Sequence, residues 1–370
     1  MNLTTETLPW YHRRHHCRGG FQNLEDERAR PLSILKGLAW SARRFFSGKT
    51  HVPPPSQSPD AAELRRRPER LRVTWIGHTT VLVQTPGFTL LTDPIFSRRA
   101  SPVTFAGPSR LAPPALSPGD LPEIDAVVLS HDHYDHCDRS SLEALYRRYE
   151  PTFFVPLGVA AHLRSWGVGP AVELDWWQRA TLAPDDKAGP LRLTCTPARH
   201  FSGRSLFDRN TTLWSSWMIE APATTGPNGP APGEAPVRVY FGGDTGDGSH
   251  FAEIGERLPP ADVALLPIGA SQPRALMEPV HIGPEDAVRA LDALGAARAM
   301  PTHWGAFDLA EEAVQAPAEQ LRALIERLGL DERFPVPVPG EVLSFGAPAR
   351  ERSTELAAPL EDEPALEPAS

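Results

Sequence analysis

Three cysteines among 370 residues are odd in number and widely spaced, so Cys17, Cys137 and Cys195 imply no disulfide framework. Such usage predicts a reducing compartment, here the cytoplasm. Long apolar runs are missing too. No stretch reaches the roughly 20 residues of a membrane-spanning helix, and the first residues lack the apolar core of a secretory leader. Basic charge is scarce where a nucleic-acid site would need it. The net charge is −9, and because residues 1–70 hold 13 Lys and Arg against 7 Asp and Glu, residues 71–370 carry −15. An acidic body speaks against nucleic acid as a partner, since that requires a basic footprint.

Proline, in contrast, is abundant. Its 41 residues are about twice the share of an average chain. They crowd residues 52–59, residues 222–236 and the tail beyond Pro348, which are the expected linkers. The chain accordingly divides into a basic, partly helical extension (1–70), a main domain (71–347) and an acidic, unfolded tail (348–370). Within the extension, residues 31–46 combine Trp40, Phe45 and Phe46 with Lys36, Arg43 and Arg44. A short helix there would either lie on a membrane surface or pack against the main domain.

One stretch of six residues carries more chemistry than the rest. Residues 131–136 read His-Asp-His-Tyr-Asp-His, directly after the apolar residues 126–130. That run has the length of a strand covered on both faces. In extended backbone His131 and His133 point the same way, because side chains alternate with period two. The chain must then turn, and a helix is expected from Asp138 or Ser140, where Ser140 and Glu143 resemble a capping box. Asp135 and His136 are thereby carried round to face the first pair. Such groups are seldom buried without partners, so their crowding points to metal ligation. Cys137 beside them reads as a small residue entering the helix rather than as a ligand.

Four donors exceed the three protein ligands of an open catalytic zinc and fall short of two such sites. Three other places offer suitable atoms after β-rich stretches. They are His200 after residues 191–195, Asp244 in Phe-Gly-Gly-Asp-Thr-Gly (241–246), and His303 in Pro-Thr-His-Trp-Gly (301–305). Each is weak alone, since a lone His is more often a satisfied histidine and a lone Asp a turn residue. With the first motif they total five His and two Asp, a set suited to two metals.

With that set in view, the chain resembles the metallo-β-lactamase superfamily, which is marked by His-x-His-x-Asp-His after a strand and then by a distant His, an Asp and a final His. Within it, the chain is most similar to the phospholipases D that hydrolyse N-acylphosphatidylethanolamine. The closer likeness rests on residues 15–23, 74–83, 91–97, 242–246, 267–270 and 302–305, and so extends to about residue 345. The resemblance implies an αββα four-layer sandwich with metals at one edge of the two sheets. Residue patterns alone support only a mixed α/β class. It further implies that His131, His133 and His200 hold one divalent cation and Asp135, His136 and His303 a second, with Asp244 bridging. Zinc is the default, and manganese or iron suit the same donors. His78 and Asp93 are placed near the metals, where Asp93 either orients a ligand imidazole or forms an Asp-Pro turn. His281 would steer a phosphate or protonate a leaving group, or else cap the following helix. Asp135, Asp244 and His281 are the catalytic candidates.

The remaining pattern predicts strand over residues 73–84, a return strand over 88–93, and strand again at 152–155. Amphipathic helices are predicted at 285–294 and 316–328, and Trp176 and Trp177 as core. By resemblance the activity is a phosphodiesterase of the phospholipase D type, acting on a membrane phospholipid as a peripheral enzyme. A metallo-hydrolase of a small soluble substrate, such as a lactone or sugar-phosphate lactone, is the alternative because that branch shares the metal motif. Retention of every donor disfavours a non-catalytic binding protein. Nothing in the chain sets a subunit number, and a homodimer is compatible with it.

Overall fold

The computed structural model describes residues 2–24, 52–184, 189–223 and 235–346; the helix expected at 31–46 and the tail at 348–370 lie outside them. In chain order the strands are β1 (Asn2–Thr7), β2 (His16–Cys17), β3 (Gly20–Phe21), β4 (Leu71–Gly77), β5 (Thr80–Gln84), β6 (Thr89–Thr92), β7 (Ala126–Val128) and β8 (Thr152–Pro156). They continue as β9 (Ala171–Leu174), β10 (Gln178–Ala183), β11 (Leu191–Thr196), β12 (Ser216–Ala221), β13 (Val237–Phe241), β14 (Val263–Pro267), β15 (Ala299–Thr302) and β16 (Val342–Phe345). Two seven-stranded sheets form, in the orders β1-β10-β11-β12-β13-β14-β15 and β16-β4-β5-β6-β7-β8-β9, with β2 and β3 as a small hairpin.

Side-chain alternation explains how the sheets stack. Val73, Val81, Val83, Leu90, Val128 and Phe154 of the second sheet join Leu193, Trp217, Ile219, Val239 and Phe241 of the first in one core. Their neighbours Leu82, Leu91, Val127, Leu129, Phe153 and Val155 face the other way, onto Leu142 and Leu145 of the helix Arg139–Tyr149 and Leu163 of the helix Val159–Ser165. A strand covered on both faces must be apolar throughout, which is why residues 126–130 form a continuous run. Beside the first sheet, the helices Pro284–Ala293 and Ala316–Leu328 turn Ala287, Leu291, Leu321 and Ile325 inward. The layers are helix, sheet, sheet, helix. Trp176 and Trp177 are core residues.

Strand direction positions the site. β6, β7 and β8 are parallel, as are β13, β14 and β15. Because β5 is antiparallel to both its neighbours, β4 points the same way as β6; by the same argument through β12, β11 points the same way as β13. The carboxyl ends of β4, β6 and β7 therefore share one edge of their sheet, and those of β11, β13 and β15 share one edge of the other. Ligand sites of α/β sheets favour such ends. Backbone bonds from Ser215 N to Ser130 O (2.9 Å) and from His303 N to His78 O (3.1 Å) tie the two edges together.

Several local expectations are corrected. Residues 73–84 are two strands, because the chain reverses where Gly77 and His78 take φ of 136° and 56°. The helix after the motif is capped by Asp138, whose side chain accepts from Ser141 N at 3.2 Å. Ser140 and Glu143 make no capping box, for Glu143 accepts from Arg139 Nε at 2.6 Å. At the start of the chain, β1 pairs along β10 at the sheet edge. Asp175 accepts from His15 Nε2 at 2.6 Å and His16 Nε2 at 2.7 Å, which fastens the segment that follows β1 to the main body.

Candidate metal centre

The residues singled out in the sequence leave different strands and meet at the shared edge. His131 Nε2 lies 2.8 Å from His133 Nδ1, and His200 Nε2, from the loop after β11, lies 3.3 Å from that same nitrogen. Beside this trio, His136 Nε2 is 3.2 Å from Asp244 Oδ2 and 3.4 Å from Asp135 Oδ2. His303 Nε2 approaches the same two oxygens at 3.2 and 3.6 Å. Asp244 Oδ2 is also 3.8 Å from His200 Nε2, so this carboxylate stands between the two groups. His78 comes closer than expected. Its Nε2 donates to Asp135 Oδ2 at 3.0 Å, and it forms one donor group with Asp135, His136 and His303.

Two observations fit this cluster to metal cations. Buried polar atoms are ordinarily hydrogen-bonded, yet His136 Nε2, His303 Nε2, Asp244 Oδ1 and His281 Nδ1 are buried and make no hydrogen bond. The second is electrostatic. Burial alone would raise Asp135 and Asp244, but His136 and His303 hold both carboxyls well below their usual range. Burial opposes charge on His303 and His136 too, yet Asp244 and Asp135 lift His303 to about 9 and His136 well above its ordinary value. Burial, with neighbouring imidazoles adding to it, takes His131 and His200 well below theirs, so both stay neutral and keep a lone pair at neutral pH. Imidazoles with two ionised carboxylates in a buried pocket suit divalent transition ions.

Residues 89–304 match the family model described as "Beta-lactamase superfamily domain". The chain belongs to that superfamily. It is 42% identical over 340 residues to an uncharacterised protein of Mycobacterium tuberculosis, covering 90% of this chain and 84% of that one. It is 37% identical over 264 residues to N-acyl-phosphatidylethanolamine-hydrolyzing phospholipase D 1 of Caenorhabditis elegans, covering 69% and 70% of the two chains. Among solved structures it shares its fold with Igni18, a metallo hydrolase of Ignicoccus hospitalis, at a TM-score of 0.53 and 24% identity over 75% of this chain and 98% of that one. The protein is a metallo-hydrolase of the β-lactamase superfamily. No helix among its described residues is long and apolar enough to cross a membrane.

Around the donors, the metallo-hydrolase fold supplies a supporting set. Asp93 is no plain turn residue: its Oδ2 accepts from His136 Nδ1 at 2.7 Å and Ser130 Oγ at 2.5 Å, and its Oδ1 accepts from Ser130 N at 2.7 Å. Ser130 Oγ is in turn 2.9 Å from His131 Nδ1. His200 Nδ1 donates to the Val280 carbonyl at 2.8 Å. His136, His131 and His200 are thus oriented through their second nitrogens. Sequence reasoning did not single out Ser130, Thr79 (whose Oγ1 is 3.2 Å from His136 Nδ1) or Asn23, which brackets the His200 backbone. The available signals were the place of Ser130 ahead of the motif and of Asn23 within the run 15–23.

His281 faces the cluster. Its ring centroid is 5.1 Å from that of His200, and its Nδ1 is 3.8 Å from Asp244 Oδ2. Gly283, not His281, is the N-cap of the following helix. Burial lowers His281 to about 4. Cys137 joins no donor group; it is core, where burial pushes its thiol up to about 12. His78, Asp93 and His303 take left-handed φ of 56°, 32° and 59°, the strained backbone that collects at functional sites. Gly269 is required beside them, since a Cβ there would stand 2.0 Å from the His303 carbonyl oxygen.

Proposed function

We propose that this metallo-hydrolase is a phosphodiesterase of the phospholipase D type, cleaving N-acylphosphatidylethanolamine to N-acylethanolamine and phosphatidic acid. The observation that carries the reading is Asp244 set between two groups of imidazoles, and the 37% identical relative named for that hydrolysis supports it. His131, His133 and His200 would hold one divalent cation, Asp135, His136 and His303 the second, and Asp244 both. Zinc is the first choice for these donors, with manganese or iron compatible. Such cations supply a water ionised near neutral pH and positive charge for phosphoryl oxygens.

The chain's own residues do the rest. Asp135 and Asp244, both ionised, would supply the negative charge to hold the cations. His78 orients Asp135, while Asp93 and Ser130 orient His136 and His131. His281 is neutral at pH 7, because burial takes it to about 4. Its part is therefore to donate a hydrogen bond to a phosphoryl oxygen or the leaving oxygen, not to deliver a proton as imidazolium. The oxygen of water bonds to phosphorus, the bond from phosphorus to the ethanolamine oxygen breaks, and that oxygen takes a proton from the water. The substrate resides in a bilayer, so the enzyme works peripherally, on the cytoplasmic side. Incubating the zinc-loaded protein with N-acylphosphatidylethanolamine vesicles and with a lactone panel tests this. Release of N-acylethanolamine is the expected result, and turnover of lactones alone would assign the site to small soluble substrates.

A further inference from the structure

Two loops that meet around Tyr134 of the ligand motif carry apolar, exposed tips. Leu206 and Phe207 are 80% and 94% accessible, and Phe105 is 80% accessible. Single exposed apolar residues are ordinary, but three large ones on two neighbouring loops are not. Both loops wall the same open cavity of about 890 Å³, with Arg99 and Thr104 on one side, Arg204 and Ser205 on the other, and Tyr134 of the ligand motif between them.

Neither loop owes its exposure to a lack of internal structure. Arg99 bridges its own loop, its guanidinium donating to the Thr104 carbonyl at 3.1 Å and the Gly107 carbonyl at 2.5 Å. Asp208 gathers the N–H groups of Arg204 and Ser205 at 3.0 and 2.8 Å. Arg204 then donates to the carbonyls of Asp132 and Cys137, and Tyr134 donates to the Arg204 carbonyl at 2.8 Å. The tip carrying Leu206 and Phe207 is thereby fixed to the motif that carries His131, His133 and Asp135. Exposed Arg98 and Arg209 flank the two tips.

We propose that Phe105, Leu206 and Phe207 form a membrane-docking rim that inserts into the surface of an anionic phospholipid bilayer, with Arg98 and Arg209 on its headgroups. Apolar tips suit the acyl boundary and flanking guanidinium groups suit lipid phosphates, which favours a bilayer over a protein partner. Because the loops are already ordered, insertion requires no further folding, and the attachment of the Leu206–Phe207 loop to the ligand motif sets the donor cluster at a fixed height over the lipid. The proposal rests on the phospholipid reading of the site.

The test uses the full chain, zinc-loaded, and sedimentation with phosphatidylcholine vesicles containing phosphatidylglycerol. The triple variant Phe105→Ser, Leu206→Ser, Phe207→Ser should lose at least about tenfold in vesicle partition at any salt, as buried apolar area is not screened. Arg98→Gln with Arg209→Gln should lose partition at low salt only. Melting temperature and metal content should not change in the triple variant. Unchanged vesicle binding in the triple variant overturns the proposal, as does a dimer that this variant converts to monomer, which would make the rim a contact between copies. Hydrolysis of a water-soluble, short-chain N-acylphosphatidylethanolamine separates the two readings. Docking through the rim without that hydrolysis defeats the substrate assignment alone, and hydrolysis with rim-independent docking defeats the rim alone.

Discussion

Asn23 brackets the backbone of His200: its Nδ2 donates to the His200 carbonyl at 3.0 Å, and its Oδ1 accepts from the His200 N–H at 3.2 Å. A residue near the start of the chain thus fixes a loop of the donor cluster 177 positions later. Asn23→Ala leaves both backbone groups without these partners, at a cost of about 1–3 kcal/mol. Since outer partners of metal sites typically contribute 10- to 100-fold in affinity, roughly that loss is expected. Chelator competition should place it at one of two bound cations, with Asn23→Asp, which keeps the acceptor, lying between. Equal affinity at both sites in Asn23→Ala would refute the bracket's role.

Breaking either half of the donor cluster should remove one cation, not both. His133→Ala and His303→Ala are each expected to bind one metal per chain by elemental analysis, with near-native circular dichroism. Activity should fall by at least about 100-fold. Full activity in either variant would sink the two-metal reading.

The bond broken is open to isotopic labelling. Turnover in oxygen-18 water should place the label in phosphatidic acid, because the water oxygen bonds to phosphorus. Label in the N-acylethanolamine would mean attack at carbon and a different reaction class.

The metal-free protein should be most stable near neutral pH. His303 is held at about 9 against an ordinary 6.5, so the stability it contributes is complete below 6.5 and is lost as pH rises through 9. His78 and His281, lowered to about 3 and 4, act oppositely. The unfolded chain binds their protons first, so stability is lost as pH falls from 6.5 toward 4. Melting temperatures across pH should trace a dome, and His303→Gln should flatten its alkaline limb. An unaltered alkaline limb would show that His303 is not the group responsible.

Much of this site is legible locally. The run 126–130 followed by His131, His133, Asp135 and His136 announces a buried strand ending in donors, because alternation and apolar content are properties of the chain itself. The helix Ala316–Leu328 is legible for the same reason. The break of residues 73–84 at His78 was hidden, since a left-handed φ at a histidine follows from strand pairing and not from local preference.

Sequence by itself determined which side chains could bind metal, the acidic balance of the main domain, and the apolar strands that stack. Only the tertiary structure decided which strand ends meet. His200, Asp244 and His303 reach the first motif because two sheets stack with their carboxyl ends at one edge, and such long-range pairing is not written in any local pattern. For the same reason His78 joins the donors, Asn23 reaches His200, and the loops carrying Arg99 and Arg204 wall one cavity. Each is a contact between segments far apart in the chain, made only after the core has closed.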